Sequence, residues 1–188
     1  MRILDLYRLL FMKKVREDIY IVPWKSVWCV FVINIMLHSV FSLQAFFSHG
    51  VPSYAVIRFS DKYYYLMQAG ALFPISLQTY LVMASLTFLY VGKRSDKADF
   101  AGILKMSILT ISSAVGVFFS IPCNIFYMIL GYKFAPLVPL FITMAIVIGL
   151  ITFFKYLEHY CELKLGMGKL LIVGIYIFSY LTEALIVR

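Results

Sequence analysis

Charge is scarce in this sequence of 188 residues: only 14% are Asp, Glu, Lys or Arg, whereas 63% are hydrophobic. Soluble domains carry about 25% charged and about 45–50% apolar residues. The shortage of charge therefore excludes a soluble globular domain and indicates an integral membrane protein. The remaining charges are unbalanced, with a net charge of +8. In a membrane protein we expect this excess to mark basic loops beside an anionic inner leaflet, and we expect no nucleic-acid partner.

Motifs for catalysis are also missing. The sequence contains no Gly-x-Ser-x-Gly elbow, no His-Glu-x-x-His zinc motif, no phosphate-binding Gly-x-x-x-x-Gly-Lys and no Gly-x-Gly-x-x-Gly. We therefore predict a protein that is not an enzyme and that holds no cofactor and no metal. Only three cysteines occur, and the predicted topology puts Cys29 and Cys161 near the inner side and Cys123 toward the outer side, where they serve at most as small apolar residues. We expect no structural disulfide.

Five apolar runs are long enough to cross a membrane, because about 20 helical residues span about 30 Å of hydrocarbon. They lie at about 27–47, 64–91, 106–130, 134–154 and 170–187. The predicted fold class is thus all-α: a polytopic bundle of five transmembrane helices over residues 27–188. Residues 1–26 are expected to form a separate basic, amphipathic segment on the cytoplasmic side. Two interpretations remain: a helix that lies in the membrane interface, or an ordinary positively charged stretch before the first span.

The basic residues predict the orientation of this bundle, since positively charged loops stay in the cytoplasm. Thirteen of the 17 Lys and Arg residues fall in the three segments that share one side of a five-span protein. The N-terminus is therefore expected inside and the C-terminus outside. Within this inner basic face we single out five residues: Lys13, Lys14, Arg16, Lys93 and Arg94.

Polar side chains are rare within the predicted spans. Under the N-inside topology, His38, Asn124 and Glu183 all fall in the outer half of their spans. They predict a small polar pocket near the outer leaflet. The alternative is that they serve only as hydrogen-bond partners between helices, with Glu183 reaching headgroup water. Because Glu183 is the only acid in the five spans, we do not expect a proton-coupled pump or a voltage sensor.

Several stretches resemble the Yip family, the Ypt/Rab-interacting membrane proteins, and in particular its bacterial or archaeal members. Residues 17–24 (EDIYIVPW) are similar to the family's Asp-Leu-Tyr-Gly-Pro-Phe-Trp stretch, with Ile-Val at the place of its glycine. The second half is also similar, from the entry DFAGILKMSIL through Ile121-Pro122 and Gly131-Tyr132 to Gly168-Lys169. The resemblance implies a five-helix membrane scaffold without catalytic activity. The lack of a long cytosolic extension favours a prokaryotic cytoplasmic membrane.

The leading hypothesis is therefore a scaffold or accessory subunit of a membrane complex. Its expected partners are the lipid bilayer with its anionic inner leaflet and other membrane proteins, or a second copy of the chain. Two alternatives remain open at the level of the sequence. One is the membrane subunit of a multi-component transporter, similar to the substrate-binding component of an energy-coupling-factor system. The other is a lipid-interacting protein that uses the outer polar pocket.

Overall fold

A computed structural model of the chain describes residues 22–49 and 64–186, excluding the side chains of 41–49, 64–72, 132, 134, 135 and 182–186. The described part is all-helical, as the sequence predicts, and contains five helices. These are α1 (Trp24–His49), α2 (Tyr64–Val91), α3 (Phe100–Leu130), α4 (Val138–His159) and α5 (Gly168–Ile186). A 3₁₀ turn, Gly131–Leu137, connects α3 to α4.

Three stretches of these helices are long and apolar enough to cross a membrane. They are Phe73–Val91 of α2, Phe100–Leu130 and Val138–His159. Two shorter apolar stretches, Trp24–Val40 of α1 and Gly168–Leu181 of α5, fall below that length within the described residues. The described part of the chain is thus helical and contains three candidate membrane spans, whereas the five-span topology and its orientation remain predictions.

Helix α3 lies at the centre of the packing and contacts α1, α2 and α4, while α5 packs mainly on α2. Small residues allow close approach at these contacts. A Cβ at Gly149 of α4 would lie 3.0 Å from the Ile111 Cα of α3, so glycine permits the two backbones to meet. Helix α3 ends at Gly131, whose φ of 59° is a conformation that favours glycine.

Two π-helical segments interrupt α3, at Ile108–Ser112 and Gly116–Ser120. The Thr110 hydroxyl donates to the Met106 carbonyl at 2.7 Å, in competition with the backbone N–H groups for that oxygen. In a π-helix the backbone bonds run over five residues instead of four, which shifts every later side chain around the helix. The two segments therefore set which face residues 116–124 present to α1.

The buried core divides into a large and a small cluster. The large cluster is built from the halves of the helices near the loops 92–99 and 160–167, with Phe31, Met83, Ile108, Phe153 and Ile172 each at most 1% exposed. The small cluster, Phe119, Cys123 and Ala145, lies toward the other end of α3. Apolar packing is thus concentrated at one end, and the buried polar groups described below lie beside the smaller cluster.

Candidate functional site

Charged side chains of the described residues concentrate at one end of the bundle, which we call the charged end. It comprises the start of α1, the α2–α3 loop with the first turns of α3, and the last turn of α4 with the α4–α5 loop. Its members are eight basic residues and four acidic ones: Lys25, Lys93, Arg94, Lys97, Lys105, Lys155, Lys164, Lys169, Asp96, Asp99, Glu158 and Glu162. Lys133, between α3 and α4, is the one described basic residue at the opposite end.

Direct bonds join the two loops of the charged end into one surface. The Ser95 hydroxyl donates to the Cys161 carbonyl at 2.6 Å, across 66 positions of sequence. Lys97 forms an ion pair with Glu162 beside it. A second ion pair, Lys169 Nζ to Glu158 Oε1 at 2.7 Å, joins the start of α5 to the end of α4. With eight basic and four acidic residues, the described part of this surface carries a net charge of +4.

Aromatic rings hold two of these cations at the boundary between apolar and charged residues. The Arg94 guanidinium lies 4.0 Å from the centroid of the Tyr90 ring. Lys105 Nζ lies 5.0 Å from the ring of Trp24, which itself stacks on Trp28 with centroids 6.1 Å apart. Trp and Tyr rings prefer the headgroup level of a bilayer, where one face is apolar and the other wet. The charged end therefore has the composition of a membrane–water boundary.

The first turn of α3 has a local cap. Asp99 is extended, and its carboxylate accepts a hydrogen bond from the Gly102 N–H. A side-chain oxygen at this position satisfies a backbone donor that the helix leaves free. Asp99 thus fixes where α3 begins and positions Lys105 over Trp24.

Beneath this surface lies the buried side chain of Cys161, just beyond the end of α4. Burial raises the pKa of the thiol from its ordinary 9.0 to about 11, partly offset by a hydrogen bond with the Tyr156 hydroxyl. A thiol with such a pKa remains protonated near neutral pH and is a poor nucleophile. The buried Cys161 side chain packs beneath the surface, and its backbone carbonyl accepts the hydrogen bond from Ser95.

The second feature is a polar seam between α1 and α3. It is formed by Asn34 and His38 of α1, one turn apart, and by Gly116, Ser120 and Asn124 of α3, spaced by four. Asn124 Nδ2 donates to the carbonyls of Leu37 at 3.1 Å and Ser120 at 2.7 Å. The His38 ring packs against Phe119 with centroids 5.6 Å apart. Polar groups of the two helices thus face each other inside the bundle.

The structure brings together some of the residues that the sequence singled out. His38 and Asn124 both belong to the polar seam, and Lys93 and Arg94 are both exposed at the charged end. The side chain of Glu183 lies outside the described residues, so its part in the predicted pocket is untested.

Lys13, Lys14 and Arg16 also lie outside the described residues. Two residues of the seam, Asn34 and Ser120, were not predicted from the sequence, although their helical spacing from His38 and Asn124 was the available signal.

Comparisons with protein-family models, with curated proteins and with solved structures found no match. The resemblance to the Yip family therefore stays a proposal based on the quoted stretches. Any function of the chain has to be argued from its charged end and its polar seam.

Proposed function

We propose that this chain is a scaffold or accessory subunit of a membrane complex, acts without catalysis and docks through its charged end. The observation that carries the proposal is the bond from Ser95 to the Cys161 carbonyl, which joins two loops from distant parts of the sequence into one surface. A surface held in shape by internal bonds loses little conformational entropy when a partner binds. Its excess of cations selects partners or lipids that carry negative charge.

The orientation of the charged end is part of the same proposal. Positively charged loops are retained in the cytoplasm, and eight of the nine described basic residues lie at this end. We infer that it faces the anionic cytoplasmic leaflet, with five spans, an inside N-terminus and an outside C-terminus. Each basic residue near such a leaflet contributes about 1 kcal/mol of attraction. The resemblance to Yip-domain proteins supports this topology and a prokaryotic cytoplasmic membrane.

The decisive experiment compares charge reversals at the two ends of the bundle. The test variant carries Lys93→Glu and Arg94→Glu, and the matched control carries Lys133→Glu, an exposed lysine at the other end. Each is tagged, purified from native membranes in mild detergent, and examined for co-purifying proteins and anionic phospholipid. We expect a severalfold loss of both in the test variant only. Equal recovery from all three proteins would overturn the proposal.

A second candidate is the membrane subunit of a transporter or a lipid-interacting protein. The polar seam favours it, because buried polar groups inside a membrane often mark a path or site for polar molecules. Co-purification of a stoichiometric ATPase pair would select the transporter subunit, and a retained small molecule or lipid would select the binding protein.

A further inference from the structure

Three polar side-chain atoms in the seam lack hydrogen-bond partners among the described residues: His38 Nδ1, Ser120 Oγ and Asn124 Oδ1. Ser120 is completely buried and Asn124 is 8% exposed. A buried polar atom without a partner destabilises a fold, and more so in a membrane, where no bulk water reaches it. Three such atoms in one seam indicate that an occupant supplies the missing bonds.

The orientation of the Asn124 amide follows from its neighbours. Both atoms that it contacts, the carbonyl oxygens of Leu37 and Ser120, are acceptors only. The amide nitrogen must therefore face them, and its two hydrogens are both used. Asn124 Oδ1 is left as a pure acceptor, so the occupant must donate a hydrogen bond to it.

The same occupant can reach the other atoms of the seam. Residues 120 and 124 are four apart on one helix, which puts their Cβ atoms about 5–6 Å from each other. His38 follows Leu37, whose carbonyl is bonded to the Asn124 amide. The His38 ring packs on Phe119, the residue before Ser120. The three groups therefore belong to the same stretch of contact between α1 and α3.

The charge of the occupant is limited by its surroundings. No Asp, Glu, Lys or Arg is found among the described side chains of the seam, so neither a cation nor an anion would be compensated there. The Ser120 hydroxyl can both donate and accept, and Asn124 Oδ1 only accepts. A hydroxyl group, which also donates and accepts, meets these requirements without charge.

We propose that the seam of His38, Ser120 and Asn124 is a buried binding site for a neutral hydroxyl-bearing ligand. The hydroxyl comes either from water or from the uncharged sugar headgroup of a glycolipid such as galactosyl diacylglycerol. The site goes beyond docking at the charged end, because it lies on the part of α3 remote from that surface. It adds a ligand that is held between α1 and α3.

The first test is the sign of a stability change in Ser120→Ala. If the site is occupied, the variant loses a hydrogen bond to the occupant and its Tm falls by about 2–4 °C. If the seam is dry, removal of an unsatisfied hydroxyl raises the Tm. The matched control is Ser107→Ala, because the Ser107 hydroxyl is equally buried but donates to the Leu104 carbonyl at 2.9 Å. A lower Tm in both variants supports the site. A higher Tm in Ser120→Ala, with a lower Tm in Ser107→Ala, overturns it.

The second test detects the occupant itself. X-ray radiolysis generates hydroxyl radicals from bound water, which oxidise the nearest side chains. We expect Phe119, beside the seam, to be oxidised severalfold more than Phe153, a fully buried ring in the apolar core. The excess at Phe119 should disappear in Asn124→Leu. Oxidation of Phe119 no greater than that of Phe153, without a lipid effect, would overturn the proposal.

Added galactosyl diacylglycerol, which carries no charge to attract it to the charged end, distinguishes the two sources of the hydroxyl. If the ligand is a headgroup, the lipid raises the Tm of the purified protein, but not of Ser120→Ala, and protects Phe119 from oxidation. If the ligand is water, the lipid changes neither measurement and Phe119 stays oxidised. Either result supports the site and names its source.

Discussion

Gly116 of α3 lies directly against the side-chain amide of Asn34 in α1. A Cβ at position 116 would be 1.7 Å from Asn34 Oδ1 and 2.7 Å from Asn34 Cγ. Because position 116 has no side chain, the amide of Asn34 can occupy this part of the polar seam.

We expect Gly116→Ala to lower the free energy of unfolding by about 1 kcal/mol, because the Asn34 amide has to rotate away from the seam. Gly174→Ala is the matched control, since a Cβ at Gly174 of α5 meets no atom within 4 Å. Its effect should be neutral or slightly stabilising, as alanine favours a helix over glycine. Denaturation in detergent, followed by circular dichroism, measures both. Equal effects of the two substitutions would show that α1 and α3 do not pack as described.

The two bonds that join the loops of the charged end should differ in strength. Ser95→Ala removes a hydroxyl that donates to the Cys161 carbonyl and is expected to lower the free energy of unfolding by about 1 kcal/mol. Glu162→Gln removes an ion pair whose side chains are 57% and 66% exposed. Such a pair is screened by water, so we expect a change below about 0.5 kcal/mol. A larger loss in Glu162→Gln than in Ser95→Ala, measured by the same denaturation, would contradict this ranking.

Alkaline pH should destabilise the charged end through Cys161. Burial raises the pKa of this thiol to about 11 in the folded protein, above its ordinary 9.0. A raised folded pKa means that the protonated thiol stabilises the fold below pH 9, and that this contribution is lost as the pH rises through 11. The Tm of the wild type should therefore fall more steeply between pH 9 and 11 than that of Cys161→Ala. Parallel curves for the two proteins would rule out the effect.

The helix ends show how far local patterns predict this fold. Helix α2 occupies residues 64–91, the range of the second apolar run, because Lys93 and Arg94 mark its end. Helix α3 begins at Phe100, six residues before the predicted third span. The predicted span began after Lys105, because this lysine interrupts the apolar run. The Asp99 cap, which is visible in the sequence, starts the helix earlier.

Helix α4 was harder to predict at both ends. It begins at Val138 instead of 134, since the segment with Pro136 forms a 3₁₀ turn, and it continues to His159 instead of 154. The charged residues of its last turn mark where the chain leaves the hydrocarbon, but the helix continues through them. Apolarity alone predicts where a chain enters hydrocarbon, and it does not predict where the helix stops.

The polar seam was predictable only in part. The depth of His38 and Asn124 in the membrane follows from counting residues along each helix. The sequence alone could therefore place the two residues at the same level. Contact between α1 and α3 depends on tertiary packing and on the two π-helical segments of α3, which rotate residues 116–124 about the helix axis. No local pattern encodes that rotation, and the contacts of Asn34 and Ser120 in the seam therefore emerged only from the structure.

The orientation of the charged end is the claim on which the proposed docking surface depends. In a protein whose three native cysteines are replaced by alanine, single cysteines are introduced by Lys93→Cys, Lys164→Cys and Lys133→Cys. Sealed right-side-out membrane vesicles are then treated with an impermeant maleimide. The account predicts labelling at position 133 at once and at positions 93 and 164 only after permeabilisation. Labelling at 93 and 164 in sealed vesicles, with 133 protected, would contradict it.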